Sequence, residues 1–174
     1  MSENNLTAAQ AEVLRLFFSL PESEGFLLAG GAGLVVVGLS DRPTDDLDLF
    51  ASLASIPAAA DALETAATRN GWKVGRIHVS ETFRRLTIEV ADGQATLVDL
   101  AWDAGPLTQV TVTKVGPTYS RRELAARKVL ALFDRAELRD FIDVDRVSTT
   151  FGLDDLIATA ARIDDGFDTT VLAQ

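Results

Sequence analysis

The feature that most constrains this chain is a short apolar stretch, a glycine pair, a second apolar stretch, and a strand-like segment carrying alternate aspartates. Fourteen residues separate Gly31 from Asp46 in the string AGGAGLVVVGLSDRPTDDLDLF. The spacing predicts a strand over 26–29, a turn at Gly30-Gly31, a packed helix over 32–39, a polar loop, and a strand over 47–51. Residues two apart on a strand project from one face, so Asp46 and Asp48 are expected to bring their carboxylates together. Like charges held that close push one carboxylate toward protonation, and a divalent cation removes the conflict. Hard oxygen ligands of this kind suit Mg²⁺, with Mn²⁺ as a second choice; Mg²⁺ usually takes one or two carboxylates together with substrate phosphates. Glycines let a backbone approach a phosphate closely, and a following helix start offers N–H groups. Either half alone reads as a tight turn or a solvated strand end. The ordered combination points to a phosphate-handling site.

Composition limits the alternatives. The chain has 174 residues, 47% apolar and 24% charged, which suits one globular unit with a real core. With 26 acidic and 16 basic residues the net charge is −10. Such a surface repels nucleic acid and anionic membrane at long range, so an RNA partner needs a local basic patch. The absence of cysteine removes thiolate chemistry, and the single His78 removes two-histidine metal sites. The longest apolar run, residues 26–39, has fourteen residues and four glycines. That falls short of the roughly twenty a spanning helix needs, and no signal-peptide pattern precedes it; a cytoplasmic location and no membrane partner are expected.

The rest of the chain reads as a helix over 7–20 with Thr7 as N-cap, a helix over 58–70 between Pro57 and Gly71, and extended segments at 72–79, 82–90 and 95–101. Asp92-Gly93 signals a hairpin between the last two. Residues 102–117 look looser, with a short strand at 110–115. Beyond them the pattern is helical: 120–134, opened by a Ser120/Glu123 capping box, then 136–149 and 153–163, with a tail after Gly166. The expected class is α+β, a small mixed sheet flanked by helices, with an α/β core over 1–117 and a helical part over 118–174 of the same compact unit. Arg121, Lys128 and Arg135, seven apart, are expected to form one basic stripe. Asp140 and Asp143 on the next helix are placed to orient Lys128 or Arg135. Taken alone, that group also reads as a solvated face with helix ion pairs. His78 reads as structural, Arg84-Arg85 as a solvent-facing patch with substrate contact as the alternative, and Trp72 and Trp102 as core or rim packing.

The glycine pair, short helix and D-x-D strand resemble the opening motif of the DNA polymerase beta-like nucleotidyltransferases. The C-terminal stretch from Ser120 to Asp168 resembles the tail of the AbiEii-type nucleotidyltransferase toxins: Lys128, Arg135, then Arg139-Asp140 with Asp143. The segment Arg42-Pro43-Thr44-Asp45-Asp46-Leu47-Asp48-Leu49 fits the same branch. The likeness runs from about residue 26 onward, thinly between 55 and 94, in a chain shorter than many relatives. It implies a polymerase-beta-like fold with two metal ions on Asp46 and Asp48, and a third carboxylate from a later strand, for which Asp99 is the candidate; its alternative is a solvated strand end. It further implies Gly30, Gly31, Thr44, Arg42 and Arg135 around a nucleoside triphosphate (NTP), Lys128 neutralising it, and Asp143 beside Lys128. The implied acceptor is RNA, foremost the 3′ end of tRNA, and the implied partner is a cognate antitoxin. Two other functions compete: an aminoglycoside-type nucleotidyltransferase, which the net charge favours, and a non-catalytic nucleotide-binding module.

Overall fold

The computed structural model describes residues 6–168; the tail beyond them lies outside the described residues. Seven strands form one mixed sheet in the order β3-β4-β5-β2-β1-β7-β6. In chain order they are β1 (Leu27–Leu28), β2 (Asp46–Ala51), β3 (Lys73–Val79), β4 (Phe83–Glu89), β5 (Ala95–Trp102), β6 (Thr111–Thr113) and β7 (Gly116–Thr118). Among the described residues the helices are α1 (Ala8–Phe18), α2 (Gly30–Val36), α3 (Ile56–Arg69), α4 (Arg121–Arg135), α5 (Leu138–Phe151) and α6 (Leu153–Ile163). The α+β class with a mixed sheet between helices is as the sequence pattern predicts. None of these helices is long and apolar enough to cross a membrane.

Alternation on β2 does the central work. Leu47, Leu49 and Ala51 are buried, while Asp46, Asp48 and Phe50 take the opposite face. The buried set joins Leu86, Ile88, Val98 and Leu100 of β4 and β5 against α1 and α3. A second apolar cluster holds α4, α5 and α6 to α2 and β1 through Leu34, Leu124, Val129, Val144, Val147 and Leu156. The two clusters lie on either side of the β1–β2 part of the sheet, and the D-x-D face opens toward the second.

Local chemistry sets the helix starts. Thr7 and Gln10 make a reciprocal capping box on α1. Ser55 caps α3, with Pro57 in its first turn. At α4 only half of the expected box forms. Ser120 accepts from the Glu123 backbone N–H, but the Glu123 carboxylate instead accepts from Leu107 N–H at 3.1 Å and pairs with Arg127. Glu123 is fully buried and serves the 103–107 loop rather than the helix end.

Three boundaries depart from expectation. The first strand shrinks to Leu27–Leu28, and α2 starts at Gly30 itself and ends at Val36. The supposedly loose 102–117 stretch holds a hairpin, β6–β7, whose second strand lies parallel to β1 through Leu28 and Thr118. The last element shift is at α5, which begins at Leu138 because Ala136 turns left-handed at φ 49°. Short strands of two or three residues carry too little periodicity to be read; their partners define them.

Candidate functional site

A cavity of about 150 Å³ opens over the D-x-D face. Its wall includes Gly30, Gly31, Arg42, Thr44, Asp46, Asp48, Asp99, Lys128 and Arg135. Asp143 stands immediately behind, bonded to two of the lining residues. All ten residues singled out in the sequence therefore meet at one place, drawn from β2, β5, α2, α4, α5 and the loop before β2.

Gly30 and Gly31 begin α2 with their backbone against the acidic strand. Gly30 sits at φ +56°, and a Cβ there would run into the Asp48 carboxylate. A Cβ on Gly31 would come within 2.8 Å of Thr44 Oγ1. Only glycine permits both the backbone turn and the closeness. Ala29, ahead of the helix, supplies no side-chain cap.

The loop before β2 is tied down from two directions. Gln10 of α1, buried, donates to the Thr44 carbonyl at 2.7 Å. Thr44 in turn donates through Oγ1 to Asp46 Oδ1 at 3.0 Å. Arg42 grips Asp143 with two N–H groups, Nε at 3.3 Å and Nη2 at 3.1 Å.

Strand register sets the carboxylates. Asp48 lies opposite Asp99 in the parallel β2–β5 pair, and Asp99 lies opposite Arg85 in the antiparallel β4–β5 pair. Burial, followed by the charges of Asp46 and Asp99, pushes the Asp48 carboxyl up to about 7, against smaller opposing pulls from Lys128 and Arg135. Arg85 holds Asp99 in a two-pronged bond, Nε to Oδ1 at 2.7 Å and Nη2 to Oδ2 at 2.5 Å. Arg85 was expected in a solvent-facing patch; the structure corrects this, because its strand position faces Asp99 across the ladder. Arg84 also departs from that expectation, with its Nη1 buried.

The helical wall is a compensated ion cluster. Lys128 Nζ is 2.9 Å from Asp143 Oδ2 and 3.8 Å from Asp140 Oδ1. Arg135 makes two bonds to Asp140, at 2.8 and 3.0 Å. Burial pushes Asp140 up, but the Arg135 bonds and the charges of Arg135, Lys128 and Arg139 outweigh it and hold this carboxyl below its usual range. The expected basic stripe dissolves here. Lys128 is buried among carboxylates, Arg135 lines the cavity, and Arg121 is exposed and takes no part in the wall. The cavity instead collects Arg42, Arg85, Arg127, Lys128, Arg135 and Arg139. Of these Arg127 is a clamp, stacked 3.8 Å over Tyr119 and donating to Asp103 and the Ala104 carbonyl.

Among the described residues no group of three metal-ligating side chains is assembled; Asp99 lies opposite Asp48 in the ladder and is bonded by Arg85. Asp46 and Asp48 remain as a paired oxygen donor set. A divalent cation would offset both the desolvation that raises the Asp48 carboxyl and its crowding by Asp46, so the donor set fits Mg²⁺.

Gln10 and Arg127 escaped the sequence reading, and Arg85 and Glu123 stand there in other roles. Arg85 alone had a legible signal. The β4–β5 loop is Ala91-Asp92-Gly93, closed by Val90 N–H to the Gln94 carbonyl, with Gly93 left-handed at φ +85°. A three-residue loop ending in a left-handed glycine sets a register that places Arg85 opposite Asp99.

A mixed sheet with paired aspartates, a glycine turn and a ring of cations over one cavity describes an enzyme that handles phosphoryl groups. The model of one such family, the nucleotidyl transferase AbiEii toxin of type IV toxin–antitoxin systems, matches residues 14–170, and the chain belongs to that family. It is thus a nucleotidyltransferase of the toxin kind, and membership implies an NTP substrate and a cognate antitoxin. Solved structures agree in fold. JHP933 from Helicobacter pylori superposes with a TM-score of 0.63 at 19% identity, over 88% of this chain and 73% of that one. MenT4, the nucleotidyltransferase toxin Rv2826c from Mycobacterium tuberculosis H37Rv, gives 0.57 at 14% identity, over 88% of this chain and 61% of its own length. No curated protein matches the sequence.

Proposed function

We propose that the chain transfers a nucleoside monophosphate from an NTP to an acceptor hydroxyl on RNA, foremost the 3′ end of tRNA, with Asp46 and Asp48 holding Mg²⁺ (or Mn²⁺). The observation that carries the reading is the half-buried Asp48 carboxyl beside Asp46 in the cavity floor, packed directly against the glycine turn. Metal bound there would offset the triphosphate charge and make the acceptor hydroxyl easier to deprotonate. Gly30 and Gly31 leave room for phosphate oxygens, and Thr44 holds Asp46 in place. Lys128, Arg42, Arg135 and Arg139 line the side toward α4 and α5 and neutralise the β- and γ-phosphates. Asp143 and Asp140 keep Lys128 and Arg135 aimed at the cavity. The new bond runs from the acceptor oxygen to the α-phosphorus. The α,β-phosphoanhydride bond breaks, pyrophosphate leaves, and the hydroxyl proton passes to solvent.

The net charge of −10 argues for a cationic acceptor, but the cavity itself gathers six basic side chains, which supports an anionic one. The test is to incubate the protein with Mg²⁺, total tRNA and each labelled NTP in turn, beside the Asp46→Ala/Asp48→Ala variant. Label on tRNA with wild type only is the expected result. Label on kanamycin in place of tRNA would replace the acceptor, and no NTP-dependent label on any acceptor would leave a nucleotide-binding module.

A further inference from the structure

The half of the sheet beyond the cavity presents an open face. α3 packs against β3, β4 and β5 on the side of Leu86 and Ile88. On the other side Phe83, Arg85, Thr87 and Leu97 stay partly exposed. The cross-strand registers form a continuous row over that side: Asp48 opposite Asp99, Asp99 opposite Arg85, and Arg85 opposite His78. With strands about 4.8 Å apart, the row runs roughly 14 Å from the D-x-D strand to the sheet edge, about the length of two unpaired nucleotides.

Chemistry along the row is uneven in an instructive way. The His78 and Phe83 rings stand 5.3 Å apart, and the Arg85 guanidinium lies 5.8 Å from the Phe83 ring centre. His78 is exposed, and the Arg85 side chain remains 39% exposed although it holds Asp99. Two rings and a guanidinium at a free sheet edge are the ingredients of a stacking platform for unpaired bases. The only carboxylate in the row outside the D-x-D motif, Asp99, is already neutralised. A polycationic sugar therefore finds no unpaired carboxylate in that row beyond the D-x-D motif, whereas a phosphate-bearing strand meets Arg85.

Direction adds a second reason, resting on the nucleotidyl-transfer reading above. In an in-line displacement the attacking oxygen enters opposite the leaving group. The cations suited to the leaving pyrophosphate stand on the α4–α5 side, at Lys128, Arg42, Arg135 and Arg139. On the sheet, the strands next to Asp48 carry Asp99 and then Arg85, away from the helices that hold those cations.

We propose that this open face is the acceptor subsite: a single-stranded RNA 3′ end lies along β5, β4 and β3, its bases stacked on Phe83 and His78 and its backbone against Arg85. The experiment is fluorescence anisotropy with a 5′-fluorescein-labelled octaribonucleotide in EDTA, so that binding is read without turnover. Wild type should bind it more tightly than the same strand in a duplex. Phe83→Ala should weaken binding about tenfold, the loss expected for one base–aromatic stack, and Phe83→Tyr should retain it. His78→Ala, at an exposed position that folding does not need, should weaken it severalfold. Equal binding by wild type, Phe83→Ala and His78→Ala overturns the proposal, as does failure of wild type to bind the strand. Parallel titration with Mg²⁺ and each NTP separates the two readings. NTP binding that Asp46→Ala abolishes, without RNA binding, removes only the acceptor subsite; no NTP binding at all removes the transferase reading beneath it.

Discussion

Two aspartates at one cavity, Asp48 in its floor and Asp140 behind the lining residues Lys128 and Arg135, are driven in opposite directions. On the sheet wall, Asp48 is crowded by Asp46 and Asp99, and burial raises its carboxyl to about 7. On the helical wall, Asp140 is no more exposed, yet Arg135, Lys128 and Arg139 hold it ionised below the usual range. The difference shows how one fold assigns two jobs to one side chain. Charge left uncompensated within the protein is a demand for a cation from outside; charge already paired is a support for the residues that pair it. The sheet wall carries the crowded charge, and the helical wall the paired one.

The largest effect expected from breaking this contrast is on activity. Asp46→Ala/Asp48→Ala should lower nucleotidyl transfer on the order of a thousandfold, measured as pyrophosphate release, because the pair proposed to hold the metal is gone while the fold stays. On stability the two walls should answer with opposite signs. Asp140→Asn leaves Lys128 and Arg135 short of a partner. Breaking a buried pair costs roughly 3–5 kcal/mol, so melting should fall by about 10 °C in a calorimeter. Asp48→Asn removes a half-buried carboxylate crowded by Asp46 and Asp99 and should raise Tm by about 2–4 °C in EDTA. Equal shifts of one sign would erase the distinction.

The pH response sharpens the same comparison. Asp48 binds its proton more tightly folded than unfolded. Its stabilising protonated form is therefore lost as pH rises from about 4, the ordinary carboxylate value, toward about 7. In EDTA, wild-type Tm should decline by a few degrees over that window, Asp48→Asn should be flat by comparison, and Mg²⁺ at pH 7.5 should restore the loss. Asp140 works in the other sense: its contribution is present above the unfolded value and disappears as pH falls through the lower folded one, so it appears only as acid melting. The smallest effect should come from Ser120→Ala, which removes the one surviving half of the α4 cap and costs about 1 kcal/mol in denaturant melts.

How much of this could be read in advance follows from the range of the interactions. The D-x-D pair is legible because alternation on a strand is local, and the glycine turn because a positive φ and close packing demand glycine wherever they occur. Lys128 and Asp143 follow from the likeness to the AbiEii tail, which helical spacing supports, and they do meet, at 2.9 Å. Arg121 was misassigned by the same spacing: a seven-residue repeat gives a common stripe, but not which part of it the neighbouring helices cover. Glu123 was assigned to a cap by a four-residue pattern, and a loop sixteen residues earlier in the chain claimed it instead.

The sequence by itself determined the site's vocabulary: paired carboxylates on one strand face, a glycine turn ahead of them, a lysine and two aspartates on later helices, and a family whose chemistry these serve. Only the tertiary structure decided how they are joined. Gln10 reaches the Thr44 carbonyl across 34 residues, and Arg42 reaches Asp143 across 101. Arg85 engages Asp99 because a three-residue loop sets their register. Local backbone preferences act over a few residues and leave their mark in the pattern, whereas a buried ion pair is chosen by which surfaces fold together and by the cost of leaving either charge alone.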